Sequence, residues 1–131
     1  MSNFIFISVF MLSYQFSLGQ CTKQEKNDTI LYCDADKLPI FNYNKMNVSE
    51  YLYSNIFLTE QMLETQGKVI VSFIINKKGE VSNVKIEKSL TPACDKEVLR
   101  IFREMPLWSP AKKNNEFVNV IMFYPVYFIL K

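Results

Sequence analysis

The sequence of 131 residues contains no histidine. Histidine is the side chain that most often transfers protons in enzymes and is a common zinc ligand, so its absence argues against both roles. No phosphate-binding loop, G-x-S-x-G motif or C-x-x-C pair occurs. Asp95 and Glu97 are two positions apart, a spacing that does not bring two side chains together on a helix. We therefore expect no catalytic activity, metal or cofactor.

The first twenty residues lack any charged side chain. Their apolar run, Phe4 to Leu12 with a weaker continuation to Leu18, is shorter than the roughly 20 residues of a membrane-spanning helix and is typical of a secretory signal. Three alternatives remain: a signal cleaved after Gly19, a lipoprotein signal with Cys21 as the lipidated residue, or an uncleaved membrane anchor. Each alternative places the remaining chain outside the cytoplasm, and the last two associate it with a membrane.

An excess of one charge is also lacking. There are 15 Lys and Arg residues and 13 Asp and Glu residues, so the net charge is only +2. A nucleic-acid-binding protein would have a more basic surface, and we expect no nucleic-acid partner. Hydrophobic residues make up 49% of the chain, which is enough for the core of one domain.

The three cysteines, Cys21, Cys33 and Cys94, leave one thiol unpaired if a disulfide forms. Export permits disulfides, and lipidation of Cys21 would leave Cys33 and Cys94 as a pair. The alternative is that Cys94 is a small buried apolar residue.

Residues 21–37 are mostly polar and predict an arm or linker before a domain over residues 38–131. Helical spacing follows Ser49, and Thr59 is a candidate cap for a second short turn. Residues 68–75 and 80–88 alternate as two strands, joined by a turn at residues 76–79 whose Gly79 can adopt a positive φ.

Thr91 and Pro92 predict the cap and first position of a helix that extends to Met105. Residues 116–130 form the last strand region. Since proline is tolerated in strands mainly at edges, starts or bulges, Pro125 predicts an edge strand that is kinked or restarted. The resulting fold class is α+β, a three-stranded antiparallel sheet with two helices on one face.

Five segments in this order resemble the C-terminal domain of the TonB family of energy transducers. They are Gly67–Val81, Val84–Ile86, Cys94–Val98, Met105–Ala111 and Pro125–Leu130. The resemblance covers roughly residues 38–131. It implies the TonB C-terminal fold and a role in binding proteins.

In the resembled family, the last strand accepts the TonB box, an extended peptide of an outer-membrane receptor, by strand addition. The matching positions here are Phe117, Val118, Asn119, Val120, Ile121, Met122 and Phe123. The family usually has Tyr-Pro just before the hairpin, where this chain has Ile56-Phe57. The resemblance implies that Asn55, Ile56 and Phe57 form a second segment facing the partner.

The resemblance implies a periplasmic binding module in TonB-dependent transport, with an outer-membrane receptor as partner. The alternative is an exported adaptor that uses the same fold with unrelated proteins. Residues 21–37 reach only roughly 60 Å when extended, which favours an accessory or adaptor role over force transmission. A substitution at Val120 is expected to separate the two hypotheses. Paired edge strands would also allow a dimer.

Overall fold

A computed structural model describes residues 29–31 and 34–129 of the chain. Over these residues it contains five strands and three helices. In chain order they are β1 (Thr29–Leu31), α1 (Val48–Asn55), α2 (Glu60–Leu63), β2 (Gly67–Ile75), β3 (Val81–Lys88), α3 (Pro92–Arg103), β4 (Ala111–Lys113) and β5 (Glu116–Phe128). The predicted signal or anchor and both Cys21 and Cys33 lie outside the described residues.

The sheet has the strand order β1-β5-β2-β3, and β4 pairs with the start of β5. Strand β2 is antiparallel to β3 and to β5, and its register with β5 runs without a shift from Gly67 opposite Phe128 to Ile75 opposite Val120. Strand β1 is parallel to β5. The last strand thus has β2 on one side and the N-terminal segment of the same chain on the other.

The expected antiparallel sheet of β2, β3 and β5 is present, but a count of three strands and a purely antiparallel arrangement were wrong. The segment predicted as an arm supplies β1, which adds parallel pairing. The loop before β5 supplies β4, which forms a hairpin through Asn114 and Asn115, both with positive φ. Positive φ at both central residues is the geometry of a tight type I′ turn.

The core lies between the helices and one face of the sheet. Alternate β2 residues, Val69, Val71, Phe73 and Ile75, are buried, as the alternation predicted. Helix α3 packs against them, and the Phe73 and Phe102 ring centroids are 4.9 Å apart. Removing water from this much apolar surface is the main stabilising contribution to the fold.

Local signals in the sequence were confirmed at the hairpin and at α3. The Asn76 side chain accepts hydrogen bonds from the Lys78 and Glu80 amides, and Gly79 has a φ of 84°. A register shift in β3 places Asn83 at a bulge, as expected from the change of phase after Val81. The Thr91 hydroxyl caps α3 by accepting from the Cys94 amide.

Helix α1 begins two residues earlier than expected. Its cap is Asn47, whose side-chain oxygen accepts a hydrogen bond from the backbone N–H of Glu50. In return, the Glu50 carboxylate accepts a hydrogen bond from the backbone N–H of Asn47. This reciprocal pair is a capping box, a stronger start signal than Ser49. Thr59 caps α2, as predicted.

Trp108 anchors the connection between α3 and β4. Its side chain is only 5% exposed, and its backbone N–H donates to the Gly79 carbonyl at 2.8 Å. The indole N–H donates to the Met105 sulfur at 3.3 Å, and the ring packs against Phe41 and Phe73. The residue therefore joins the loop to the β2–β3 turn.

The segment that precedes α1 is also fixed to the domain. Lys37 and Ile40 form antiparallel bridges with Lys112 and Ser109. The Lys113 ammonium lies 2.6 Å from an Asp34 carboxylate oxygen. The chain is thus attached to β4 from Asp34 onward.

Candidate functional site: the outer edge of strand β5

The outer edge of β5, the side away from β2, is filled unevenly. Strand β1 pairs there with Asn119, Val120 and Ile121. Among residues 29–31 and 34–129, no strand pairs with the outer side of β5 from Met122 to Phe128. We call this stretch the open edge.

Backbone alternation decides which polar groups the open edge presents. In an antiparallel ladder, every second residue directs its N–H and C=O away from the partner strand. The Tyr127 carbonyl accepts a hydrogen bond of 3.0 Å from the Tyr53 hydroxyl, so the backbone groups of Tyr127 face away from β2. Pro125 lies two residues earlier and has no N–H to donate to β2, so it belongs to the same outward-facing set. Phe123 is therefore in the outward set, and no strand among residues 29–31 and 34–129 pairs with its outward N–H and C=O.

Pro125 does not interrupt the strand. Strand β5 continues through it to Phe128, with Pro125 opposite Ile70. As predicted, Pro125 lies where one side of the strand is an edge. The predicted kink or restart of the strand at this residue is wrong. Since its ring removes an outward donor, a ligand strand finds one acceptor and no donor at this position.

An apolar groove of about 630 Å³ lies beside the end of the open edge. Its lining residues come from α1, α2, their connection and the end of β5. They are Tyr53, Ile56, Leu58, Met62, Leu63, Tyr127, Phe128 and Ile129. Leu58 and Leu63 are each about half exposed, and Ile129 is 73% exposed. An apolar side chain of a bound peptide could therefore be buried here.

The predicted partner-facing segment contributes Ile56 to the groove and is held by α3. The Arg100 guanidinium donates to the Asn55 carbonyl at 2.9 Å and lies 5.0 Å from the centre of the Phe57 ring. The Glu97 carboxylate accepts from the Phe57 amide at 3.2 Å. Ile56 ends α1 and lines the groove, while Phe57 is 73% exposed beside it.

Glu97 and Arg100 also form an ion pair one helical turn apart. The Arg100 hydrogen bond, followed by the bond from the Phe57 amide, lowers the pKa of Glu97. The same pairing raises the pKa of Arg100. Both groups are therefore charged near neutral pH and hold the segment before α2 in place.

The seven predicted strand positions fall into three groups. Phe117 and Val118 pair with β4, residues Asn119 to Ile121 face β1, and Met122 and Phe123 belong to the open edge. Val120 is fully buried in the core, so substitution there would test folding before binding. It cannot separate the two functional hypotheses as expected.

The side chains of β5 alternate between the core and the sheet face opposite the helices. Met122 and Tyr124 pack against the core, whereas Phe123 and Tyr127 are about half exposed on the other face. Both faces looked apolar in the sequence, which concealed this alternation. The groove was also missed, although Leu58 and Leu63 beside the Thr59 cap were a signal for it.

The Cys94 side chain is fully buried in α3. Lipidation of Cys21 and a disulfide with Cys33 stay predictions, because both residues lie outside the described part. Residues 29–31 and 34–129 include no cluster of His, Cys, Asp and Glu suited to a metal ion. In the same residues, no helix has the length and hydropathy needed to cross a membrane.

The fold and the edge define a small α+β domain whose sheet edge is only partly paired within the described residues. The model of the Gram-negative bacterial TonB protein C-terminal family matches residues 59–130. The chain therefore belongs to the TonB C-terminal domain family, as the resemblance predicted. This family is related to transport and is non-catalytic.

A solved structure supports the same fold. The solution NMR structure of the Helicobacter pylori TonB C-terminal domain, residues 194-285, matches with a TM-score of 0.50 and 22% identity. The match covers 64% of this chain and 90% of that domain. No curated protein matches.

Proposed function

We propose that this protein is a periplasmic binding module of TonB-dependent transport that recruits an extended peptide of an outer-membrane receptor to the outer edge of β5. The observation that carries the proposal is the open edge, where Phe123 presents an N–H and a C=O outward. Such groups pair with an added strand irrespective of most side chains. Membership of the TonB C-terminal family supports a protein partner in this transport system.

The groove favours an extended peptide, and not the surface of a folded protein, as the ligand. It begins at Tyr127, where the edge ends, and its walls are apolar. A strand bound along β5 would direct alternate side chains to each face of the sheet. One of them would reach the groove, so we propose that the receptor peptide carries a bulky apolar residue at this point.

The test removes one outward donor and leaves the β2 ladder intact. We expect Phe123→Pro to weaken binding of the receptor peptide at least about tenfold, because the lost N–H pairs only with the ligand. The matched control, Phe123→Val, also removes the aromatic ring but retains the N–H. Binding is measured by fluorescence anisotropy with labelled N-terminal peptides of the outer-membrane receptors encoded in the source genome.

Urea unfolding of both variants checks that they are folded. Equal affinities of the proline variant and the native protein would contradict strand addition at this edge. If no receptor peptide binds the native chain and other exported proteins bind it directly, the adaptor hypothesis replaces the transport function.

A further inference from the structure

The outer edge of β5 already holds one extended strand. Thr29, Ile30 and Leu31 lie opposite Asn119, Val120 and Ile121 in parallel orientation. Thr29 is only 6% exposed, so this strand is packed onto the domain and not merely close to it. The backbone groups that it uses continue the same outward set as the open edge.

Strand β1 and the following segment are attached to the domain separately. Strand β1 has three residues, and parallel pairing is slightly less stable per residue than antiparallel pairing. The following segment has antiparallel bridges at Lys37 and Ile40 and the ion pair of Asp34 with Lys113. Release of β1 would therefore leave the attachments from Asp34 onward in place.

The open edge alone is a short site. It runs from Met122 to Phe128, and Pro125 in its middle lacks a donor. Release of β1 would add Asn119 and Ile121, each with both backbone groups, to the surface available to a ligand strand. A receptor peptide therefore pairs with more of β5 when β1 is absent.

We propose that β1 is a built-in competitor that occupies the ligand edge at Asn119–Ile121 and must be displaced for full binding of a partner peptide. The inference rests on the proposed function, because it concerns regulation of the same edge. A strand linked to its own site by a short segment has an effective concentration in the millimolar range. It therefore lowers the apparent affinity for any peptide that needs the same backbone groups.

The first experiment uses the sequence of β1 itself as the probe. A fluorescein-labelled peptide of residues 26–34, with serine at the position of Cys33, is titrated with the full-length chain. We expect the Ile30→Pro variant to bind this peptide about tenfold more tightly than the native chain, because proline in the middle of β1 prevents its pairing. Ile30→Val retains the N–H and should bind as the native chain does.

A second variant fixes β1 in place. Leu31 and Ile121 are directly opposed, and neighbouring strands are about 4.8 Å apart, which suits a disulfide. In a chain with Cys21→Ser and Cys33→Ser, the pair Leu31→Cys and Ile121→Cys should abolish binding of the probe when oxidised. Reduction should restore it to the level of the same background without the two added cysteines.

Equal probe affinities of the Ile30→Pro and native chains would overturn the proposal, as would undiminished binding of the probe to the oxidised pair. A receptor peptide that binds without displacing the probe from the Ile30→Pro variant would also overturn it. If no receptor peptide binds, the proposed function fails. The probe still decides whether the edge at Asn119–Ile121 exchanges its strand.

Discussion

Gly79 carries the tightest steric constraint at the scale of single residues. Its φ is 84°, and a Cβ atom built on it would lie 1.9 Å from the Trp108 carbonyl oxygen. That oxygen is backbone, so neither partner can move without shifting the loop or the turn. The site therefore excludes every other residue type for two separate reasons.

We expect Gly79→Ala to lower the free energy of unfolding by at least about 2 kcal/mol, through backbone strain and displacement of Trp108. Urea unfolding followed by tryptophan fluorescence measures the change. Lys78→Ala in the same turn is the control and should change stability by less than about 0.5 kcal/mol, since its side chain is exposed. A native-like midpoint for Gly79→Ala would mean that the contact is not as close as described.

Glu97 links stability to pH. Because its pKa is lowered in the fold from an ordinary value of 4.5, its stabilising contribution is fully present above that value and is lost as the pH falls through the lowered pKa. We expect Glu97→Gln to lower the free energy of unfolding at pH 7 by up to about 1 kcal/mol. The difference from the native chain should shrink towards pH 3.

Urea unfolding at pH 7 and at acidic pH measures this difference. Glu104→Gln, which removes the exposed second carboxylate on Arg100, is the control and should have a smaller effect at pH 7. If Glu97→Gln lowers the free energy of unfolding by the same amount at both pH values, the lowered pKa of Glu97 is not the cause of the loss.

At the scale of elements, the groove depends on α1, α2 and the end of β5 together. Leu58 is 51% exposed in the groove, and Leu107 is 66% exposed outside it. We expect Leu58→Asp to weaken binding of the receptor peptide about tenfold, because the new carboxylate would lie where the apolar side chain of the peptide is proposed to bind.

Leu107→Asp is the matched control and should bind normally. Both variants should unfold near the native midpoint, because each leucine is already largely in water. Anisotropy titrations of the two variants, side by side, decide the point. Equal losses would assign the effect to general repulsion by the new charge.

Elements with local signals were predictable, and elements without them were not. The β2–β3 hairpin and α3 were predicted because alternation, Gly79 and the Thr91 cap act within a few residues. Strands β1 and β4 have three residues each, too few for a periodic pattern, and exist because β5 pairs with them. The partner of β1 is distant in sequence, so no local rule could find it, whereas β4 pairs with β5 across the two-residue turn at Asn114 and Asn115.

At the scale of the whole molecule, the family and the sheet edge were predictable, whereas the pairing of β1 with part of that edge was not. The order of five segments predicted the TonB C-terminal family, and Pro125 predicted an edge. Val120 faces the core because of the register between β5 and β2. The apolar residues on both sides of Val120 in the sequence did not reveal that register. The predicted strand is therefore present, and its role in binding stays a prediction.

Pro125 has a further consequence for the protein at high concentration. A long edge strand with a complete set of outward donors is a template for indefinite growth of a sheet between molecules. Here the missing donor at Pro125 and the Tyr53 hydroxyl on the Tyr127 carbonyl break up that set. The edge that we propose as the peptide site is thus also one that resists the stacking that leads to fibrils.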